Sequence, residues 1–316
     1  MRLIVTGASG LLGANFILTA QECISSCEIT AISARTATRF PGADNLLLDL
    51  GDIGAIRSLI RSMQPHWIVH FAAHTDVDWC ENHPLPAKRL HVDASEELAR
   101  LAQETGARFL YMSSDSVFDG SRDFYLEQDR PAPCNVYAAS KLAGELSCAR
   151  CNPLSLIVRS NFYGWNLQHK NSLAEWILAC LQKNRPIPGF TDIVFSPLLV
   201  NDLCLALLQL MERKATGLVH LASADSCSKY QFARKVARTF GYDPGLVMPA
   251  LSDQGGFTAR RPKKTVLVSG RPDTPTTGPI EDGLLRMREL QDRDYPDNLK
   301  NCLQETANEP AYNTAC

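Results

Sequence analysis

Three clusters in this 316-residue chain combine residue types with spacings that can do chemistry. The first is Thr6-Gly7-Ala8-Ser9-Gly10-Leu11-Leu12-Gly13, which follows the apolar run Leu3-Ile4-Val5 and opens a helical pattern. In that context Gly7 permits a tight turn, Gly10 lets backbone approach a pyrophosphate, and Gly13 lets the helix pack against a sheet. The N–H groups of Ser9, Leu11 and Leu12 then lie at a helix N-terminus, where anions bind. The second cluster is Tyr137-x-x-x-Lys141. Residues four apart share one helix face, so the ammonium is expected to lower the phenol pKa from its reference of about 10. Such a phenol can protonate a carbonyl oxygen as hydride arrives at the carbon. The third is Ser114, at the end of a strand pattern over residues 108–113. Open α/β sheets bind ligands at the carboxyl ends of their strands, so Ser114 can hydrogen-bond a substrate oxygen; a turn or cap role is the alternative.

The stretch after the second strand discriminates cofactors. An acid about 20 residues beyond the last glycine would hold a ribose 2′-hydroxyl. Here the chain reads Ala31-Ile32-Ser33-Ala34-Arg35-Thr36, with Arg35 22 residues after Gly13 and Arg39 just beyond. A guanidinium suits a 2′-phosphate through bidentate hydrogen bonds. NADPH is therefore expected, with NADH possible; the alternative is that both arginines are solvated loop charges.

These residues need elements to hold them. Short apolar runs at residues 2–6, 28–33, 45–49, 67–71, 108–113 and 155–159 alternate with helical patterns at 11–20, 53–63, 87–105 and 137–150. That alternation predicts an α/β fold, a doubly wound parallel sheet (Rossmann) with a smaller C-terminal substrate-binding lobe. The expected division is residues 1–165 for the dinucleotide-binding domain, with 190–220 returning to it, and 166–189 plus 221–316 for the lobe. Helical patterns at 173–183, 202–213 and 228–240 and a strand at 218–221 fall in the second half. The stretch 243–282 has weak periodicity, and the polar tail beyond Tyr295 is expected to fray.

Together the motifs resemble the extended short-chain dehydrogenase/reductases, most of all the dTDP-4-dehydrorhamnose reductase group, over about residues 1–292. The resemblance is carried by the TGxxGxxG loop, Leu48-Asp49-Leu50, Phe71-Ala72-Ala73-His74-Thr75-Asp76-Val77-Asp78 and Ser113 to Gly120. It continues through Tyr137-x-x-x-Lys141-Leu142-Ala143-Gly144-Glu145, Arg159 to Gly164, and Arg261-Pro262-x-x-Thr265-x-Leu267. It implies a Ser114–Tyr137–Lys141 triad and a lobe for a sugar nucleotide. It places Asp49, Leu50, Ala72, Ala73 and His74 against the cofactor, although Asp49 equally suits a helix cap. His74, Asp115, Ser116, Asn161 and Phe162 are expected near substrate. Ser114 stands for the group's usual Thr, Ser116 and His74 for Tyr, Asn161-Phe162 for a Ser-Trp pair, and Asp93 for Asn. The implied activity is NADPH-dependent reduction of a 4-keto sugar nucleotide. An epimerase or dehydratase shares the fold and the Tyr–Lys pair, but dehydratases place Asp-Glu where this chain has Asp115-Ser116. A non-catalytic NADP-binding regulatory subunit, like that of methionine adenosyltransferase, is a third reading.

Composition narrows the partners. With 45% apolar and 21% charged residues the chain can offset ordering entropy, which excludes general disorder. A net charge of −2 gives no reason to expect nucleic acid or an anionic membrane. The basic cluster Arg260, Arg261, Lys263 and Lys264 could face a substrate diphosphate, or be a solvated loop. Eleven scattered cysteines read as reduced thiols of a cytoplasmic protein. No metal is expected: Cys148-x-x-Cys151 has no second pair, and His66, His70 and His74 lie on a strand pattern, where a four-residue spacing does not converge. The uncharged stretch 3–20 is broken by three glycines and is not read as a membrane span. A monomer or homodimer is expected.

Overall fold

A computed structural model describes residues 1–168 and 170–304. The first half supplies β1 (Arg2–Thr6), α1 (Leu11–Cys23), β2 (Glu28–Ser33), β3 (Ala43–Leu47), α2 (Ile53–Met63) and β4 (Trp67–His70). Next come the short α3 (Val77–Asn82) and α4 (Pro84–Lys88), then α5 (Ala94–Thr105), β5 (Arg108–Met112), α6 (Val136–Cys151) and β6 (Leu156–Arg159). The second half adds β7 (Phe162–Tyr163), α7 (Leu173–Gln182), β8 (Ile187–Phe190), β9 (Val194–Phe195), β10 (Leu198–Leu199), α8 (Val200–Glu212) and β11 (Gly217–His220). It ends with β12 (Cys227–Ser228), α9 (Lys229–Thr239), β13 (Val247–Ala250), β14 (Lys264–Thr265), α10 (Ile280–Asp292) and α11 (Tyr295–Lys300).

Seven parallel strands form the central sheet in the order β11-β6-β5-β4-β1-β2-β3. Strand alternation sorts the core into two layers. Leu3, Val5, Val69, Leu110 and Val158 face α1 and α8, whereas Ile4, Ile68, Phe109, Tyr111 and Ile157 face α2 and α5. The Rossmann expectation is therefore met. The order reverses between β1 and β4, where Thr6 and His70 are register partners, and that crevice is where such sheets bind ligands.

Sequence and structure differ at three places. β3 ends two residues early, so Asp49 and Leu50 lie on the turn into α2. The expected helix over 87–105 is interrupted by a π turn at Arg89–Asp93, where the Ala94 N–H bonds back to the Arg89 carbonyl. The widened turn frees the His91 carbonyl for side-chain donors, Ser95 Oγ at 2.9 Å and Tyr111 Oη at 3.2 Å. The tail, assigned by sequence to the second lobe and expected to fray, instead returns to the first as far as it is described. Tyr295 Oη donates to Asn15 Oδ1 at 2.8 Å, Leu303 bridges Thr38, and Gln304 N–H bonds to the Ala37 carbonyl. Residues 305–316 of the expected lobe lie outside the described residues.

α6 is locked to the sheet by charge. Glu145 receives two hydrogen bonds from Arg159 of β6, at 2.9 and 2.6 Å, and a third from Ser113 Oγ. Both side chains of the pair are buried. Removing one partner strands the other charge in the interior. Glu145→Ala should therefore lower the unfolding free energy by about 3–5 kcal/mol, read by urea denaturation; a loss within measurement error would contradict a closed buried pair.

Candidate active site

The glycine loop is built to admit an anion. Gly7 has φ +72°, and a Cβ there would lie 2.6 Å from the Ala72 nitrogen. A Cβ on Gly13 would lie 2.2 Å from the Gly7 carbonyl oxygen. α1 begins after Gly10 with no side-chain cap, so its first N–H groups stay open. Ser9 Oγ meets Gln168 Nε2 at 3.1 Å, Leu12 and Leu50 are buried, and Ala72 and Ala73 line the adjoining loop. These features fit a dinucleotide pyrophosphate. Arg35 and Arg39 are both exposed, with no ion pair among the described residues, and Arg35 is near enough to act on His74. Asp49 Oδ1 accepts the Gly51 N–H at 2.9 Å, capping the turn; α2 itself is capped by Asp52.

Tyr137 and Lys141 open α6, which is capped by Asn135. Ser114 ends the segment after β5 and lies close enough to Tyr137 to influence its phenol. The expected lowering of the phenol pKa is not found. Burial pushes Tyr137 up to about 12, with the nearby Ser114 hydroxyl pulling the other way. The reason is where the lysine points: Lys141 Nζ donates to the Met112 carbonyl at 2.7 Å and sits 4.2 Å over the Tyr111 ring. Burial pulls that ammonium down to about 8. Tyr137 is thus a protonated acid at neutral pH.

Two buried histidines tie the surrounding segments together. Ser140 Oγ donates to the Tyr137 carbonyl at 2.8 Å, so its oxygen accepts from His91 Nδ1 at 2.8 Å. His91 Nε2 then accepts the His74 N–H at 2.9 Å. Ser95 Oγ donates to the His91 carbonyl, so it accepts from His70 Nε2 at 2.9 Å, and His70 Nδ1 accepts from Thr6 Oγ1 at 2.7 Å. Burial depresses His70 to about 3 and His91 to about 2, so both rings stay neutral. His66, by contrast, accepts the Arg2 N–H, so the three evenly spaced histidines serve separate partners. Sequence reasoning missed His91 and Ser140; the π turn that brings them together has no pattern of its own.

On the substrate side Asp115 is a hub. Its Oδ1 accepts from Ser114 and Ser116 at 3.1 and 3.2 Å, and its Oδ2 from Asn161 and Thr265 at 3.0 and 2.6 Å. Asp115, Ser116 and Asn161 are thereby brought together, and Thr265 joins them from the Arg261-Pro262-x-x-Thr265 motif. Phe162 is half-buried in β7 beside Leu198. His74 stacks on Trp79 at 3.6 Å, with its Nδ1 buried and unpaired. The basic cluster is less free than its sequence suggests: Arg261 pairs with Asp78 at 2.9 Å, Lys263 with Asp192 at 3.1 Å and Lys264 with Asp123 at 2.6 Å.

A family model described as the RmlD substrate binding domain matches residues 1–281. The chain belongs to that family. Like its solved members it is an extended short-chain dehydrogenase/reductase. A crystal structure of dTDP-4-dehydrorhamnose reductase from Bacillus anthracis, in complex with NADP, superposes with a TM-score of 0.81 at 28% identity, covering 91% of this chain and 98% of that one. The probable low-salt glycan biosynthesis reductase of Haloferax volcanii is 30% identical over 273 residues, 84% of this chain and 89% of its own. Methionine adenosyltransferase 2 subunit beta of Bos taurus is 30% identical over 291 residues, 86% and 82% of the two chains. Among the described residues no helix is long and apolar enough to cross a membrane.

Two outcomes follow for this RmlD-family site. Arg35→Ala should weaken NADPH binding by about 1.5–3 kcal/mol, the scale of a charge-assisted hydrogen bond, and leave NADH nearly unaffected. Calorimetric titration of both nucleotides checks this, and equal wild-type affinity for the two would contradict it. Lys141 loses its charge as pH rises through about 8, whereas Tyr137 does not ionise until about 12. NADPH affinity of the free protein should therefore fall above pH 8; a limb that persists in Lys141→Met would belong to another group.

Proposed function

We propose that this protein is an NADPH-dependent reductase of a 4-keto sugar nucleotide. The observation that carries the reading is that Ser114 and Tyr137 come together at the carboxyl end of the sheet, with the phenol held protonated. NADPH, held by the Gly7–Gly13 loop, Arg35 and Lys141, supplies the hydride. Ser114 orients the ketone oxygen, and Tyr137 delivers the proton that turns it into a hydroxyl, so ketone, hydride and proton balance as a secondary alcohol. Lys141 holds the cofactor ribose and keeps a positive charge behind the reacting oxygen as negative charge builds there. Asp115 is fully engaged as an acceptor of four hydrogen bonds, and its neighbour is Ser116 rather than an acid, which disfavours a dehydratase.

A second reading has a specific observation behind it, the match to methionine adenosyltransferase 2 subunit beta. In it the same pocket binds NADP without turnover. The proximity of Ser114 to Tyr137, with Lys141 one helical turn on, favours catalysis.

The test is NADPH oxidation, followed by absorbance, against a panel of 4-keto sugar nucleotides. Wild type should turn over at least one of them. Tyr137→Phe should lose about 10²–10⁴-fold in kcat while NADPH affinity and thermal stability stay put, because only the proton donor is removed. Tight NADPH binding without oxidation on any substrate would favour the regulatory reading.

A further inference from the structure

Lys229 is a half-buried cation with no ion-pair partner on the substrate side. It is the first residue of α9, set by Ser228, whose capping box with Gln231 fixes the helix start. Its backbone N–H bonds to the Ile193 carbonyl at 2.9 Å, which lays the side chain along β9. Nζ sits 3.5 Å from the centre of the Phe195 ring, and the residue as a whole is half-buried. Among the described residues Nζ has no carboxylate within 4.0 Å and no hydrogen bond. In the neighbouring basic run Arg261 is paired with Asp78, Lys263 with Asp192 and Lys264 with Asp123, whereas Arg260 is exposed and has no ion pair among the described residues. Arg159 is buried and paired with Glu145.

Its neighbourhood leads back to the reacting end. In the three-stranded sheet β12-β9-β14, Phe195 is the register partner of both Cys227 and Thr265. Thr265 donates to Asp115, the residue beside Ser114. Asp115 acts on Lys229 through space, but its oxygens are already taken by four donors. Burial holds the ammonium down at about 8, so keeping its charge here is costly until an anion arrives. Ring chemistry then limits the distance: in a hexose, the anomeric carbon lies across the ring from C4. An anion on the anomeric carbon of a sugar whose 4-ketone meets Ser114 and Tyr137 would fall about one strand away.

We propose that Lys229 binds a phosphate oxygen of the substrate's nucleoside diphosphate, in a subsite floored by Phe195. The inference rests on the sugar-nucleotide reading above and deepens it, because it moves the phosphate contact from the basic loop to α9.

The test uses the full chain loaded with NADPH, titrated calorimetrically with dTDP and with UDP. Lys229→Met keeps an apolar chain over Phe195 and removes the charge. It should weaken the better nucleoside diphosphate by about 10-fold or more, the scale of one charge-assisted hydrogen bond. NADPH affinity should not change, and Lys229→Arg should restore most of the binding. Reductive methylation read by peptide mass spectrometry gives an answer in the wild type alone: Lys229 should be shielded by the nucleoside diphosphate and not by inorganic phosphate at the same concentration. Unchanged dTDP and UDP affinity in Lys229→Met, or equal labelling with and without ligand should that variant not fold, would overturn the inference. Its failure is separable from failure of the reductase reading. Turnover of a 4-keto sugar with the same KM in Lys229→Met would remove the subsite and leave the reductase. Shielding of Lys229 without any turnover would support the subsite and remove the reductase.

Discussion

The site depends on one buried ion pair, Glu145 with Arg159. It joins α6 to β6, and the Ser113 hydroxyl extends it to the end of β5. Tyr137, Lys141 and Glu145 follow at four-residue steps, so fixing the last of them fixes the rotation of the whole face. A buried pair contributes little net stability compared with apolar packing of the same volume, because both charges lose water. What it supplies here is register, since Arg159 offers two parallel donors and Glu145 accepts both. Gly144 makes the fit possible: a Cβ there would lie 2.2 Å from the His91 carbonyl oxygen.

That close approach joins α6 to a second system, the two neutral histidines. His70 carries hydrogen bonds from the phosphate loop at Thr6 to Ser95, and Ser95 passes them to the His91 carbonyl. His91 links the loop at His74 to Ser140 and so to the backbone of Tyr137. Each ring has one donor and one acceptor in use, which only the neutral form allows. Burial keeps the rings in that form, with Lys141 adding to the effect on both. The cofactor cradle, the loop after β4 and the acid helix are therefore tied together by one hydrogen-bond network.

Much of this was legible in the sequence because it is local. The Gly7–Gly13 loop lies next to the strand and helix it joins, and the Tyr137–Lys141 spacing is a property of one helix. The boundaries of β1, β2 and α2 follow from apolar periodicity over a few residues. What stayed hidden is non-local or irregular. The π turn at Arg89–Asp93 leaves no periodic mark, so His91 was passed over. Strands β8, β9, β13 and β14 have two to four residues each, too few for a period to show. The basic run near Arg261 drew attention, yet three of its four charges meet Asp78, Asp192 and Asp123 from distant segments. Lys229, whose surroundings decide its importance, looks in sequence like an ordinary helix lysine. The Tyr137 pKa went the other way from the sequence expectation because burial outweighed a cation directed at Met112.

The central claim is direct hydride delivery to a sugar ketone with Tyr137 supplying the proton. The most direct measurement is isotopic: NADPH deuterated at the transferring position is incubated with the wild type and the 4-keto sugar nucleotide it accepts. The product is then read by mass spectrometry and proton NMR. The account predicts one deuterium per product, on the new carbinol carbon, with the hydroxyl proton drawn from solvent. Product lacking that deuterium, or a sugar recovered unreduced while the deuterated cofactor stays bound and unchanged, would contradict it.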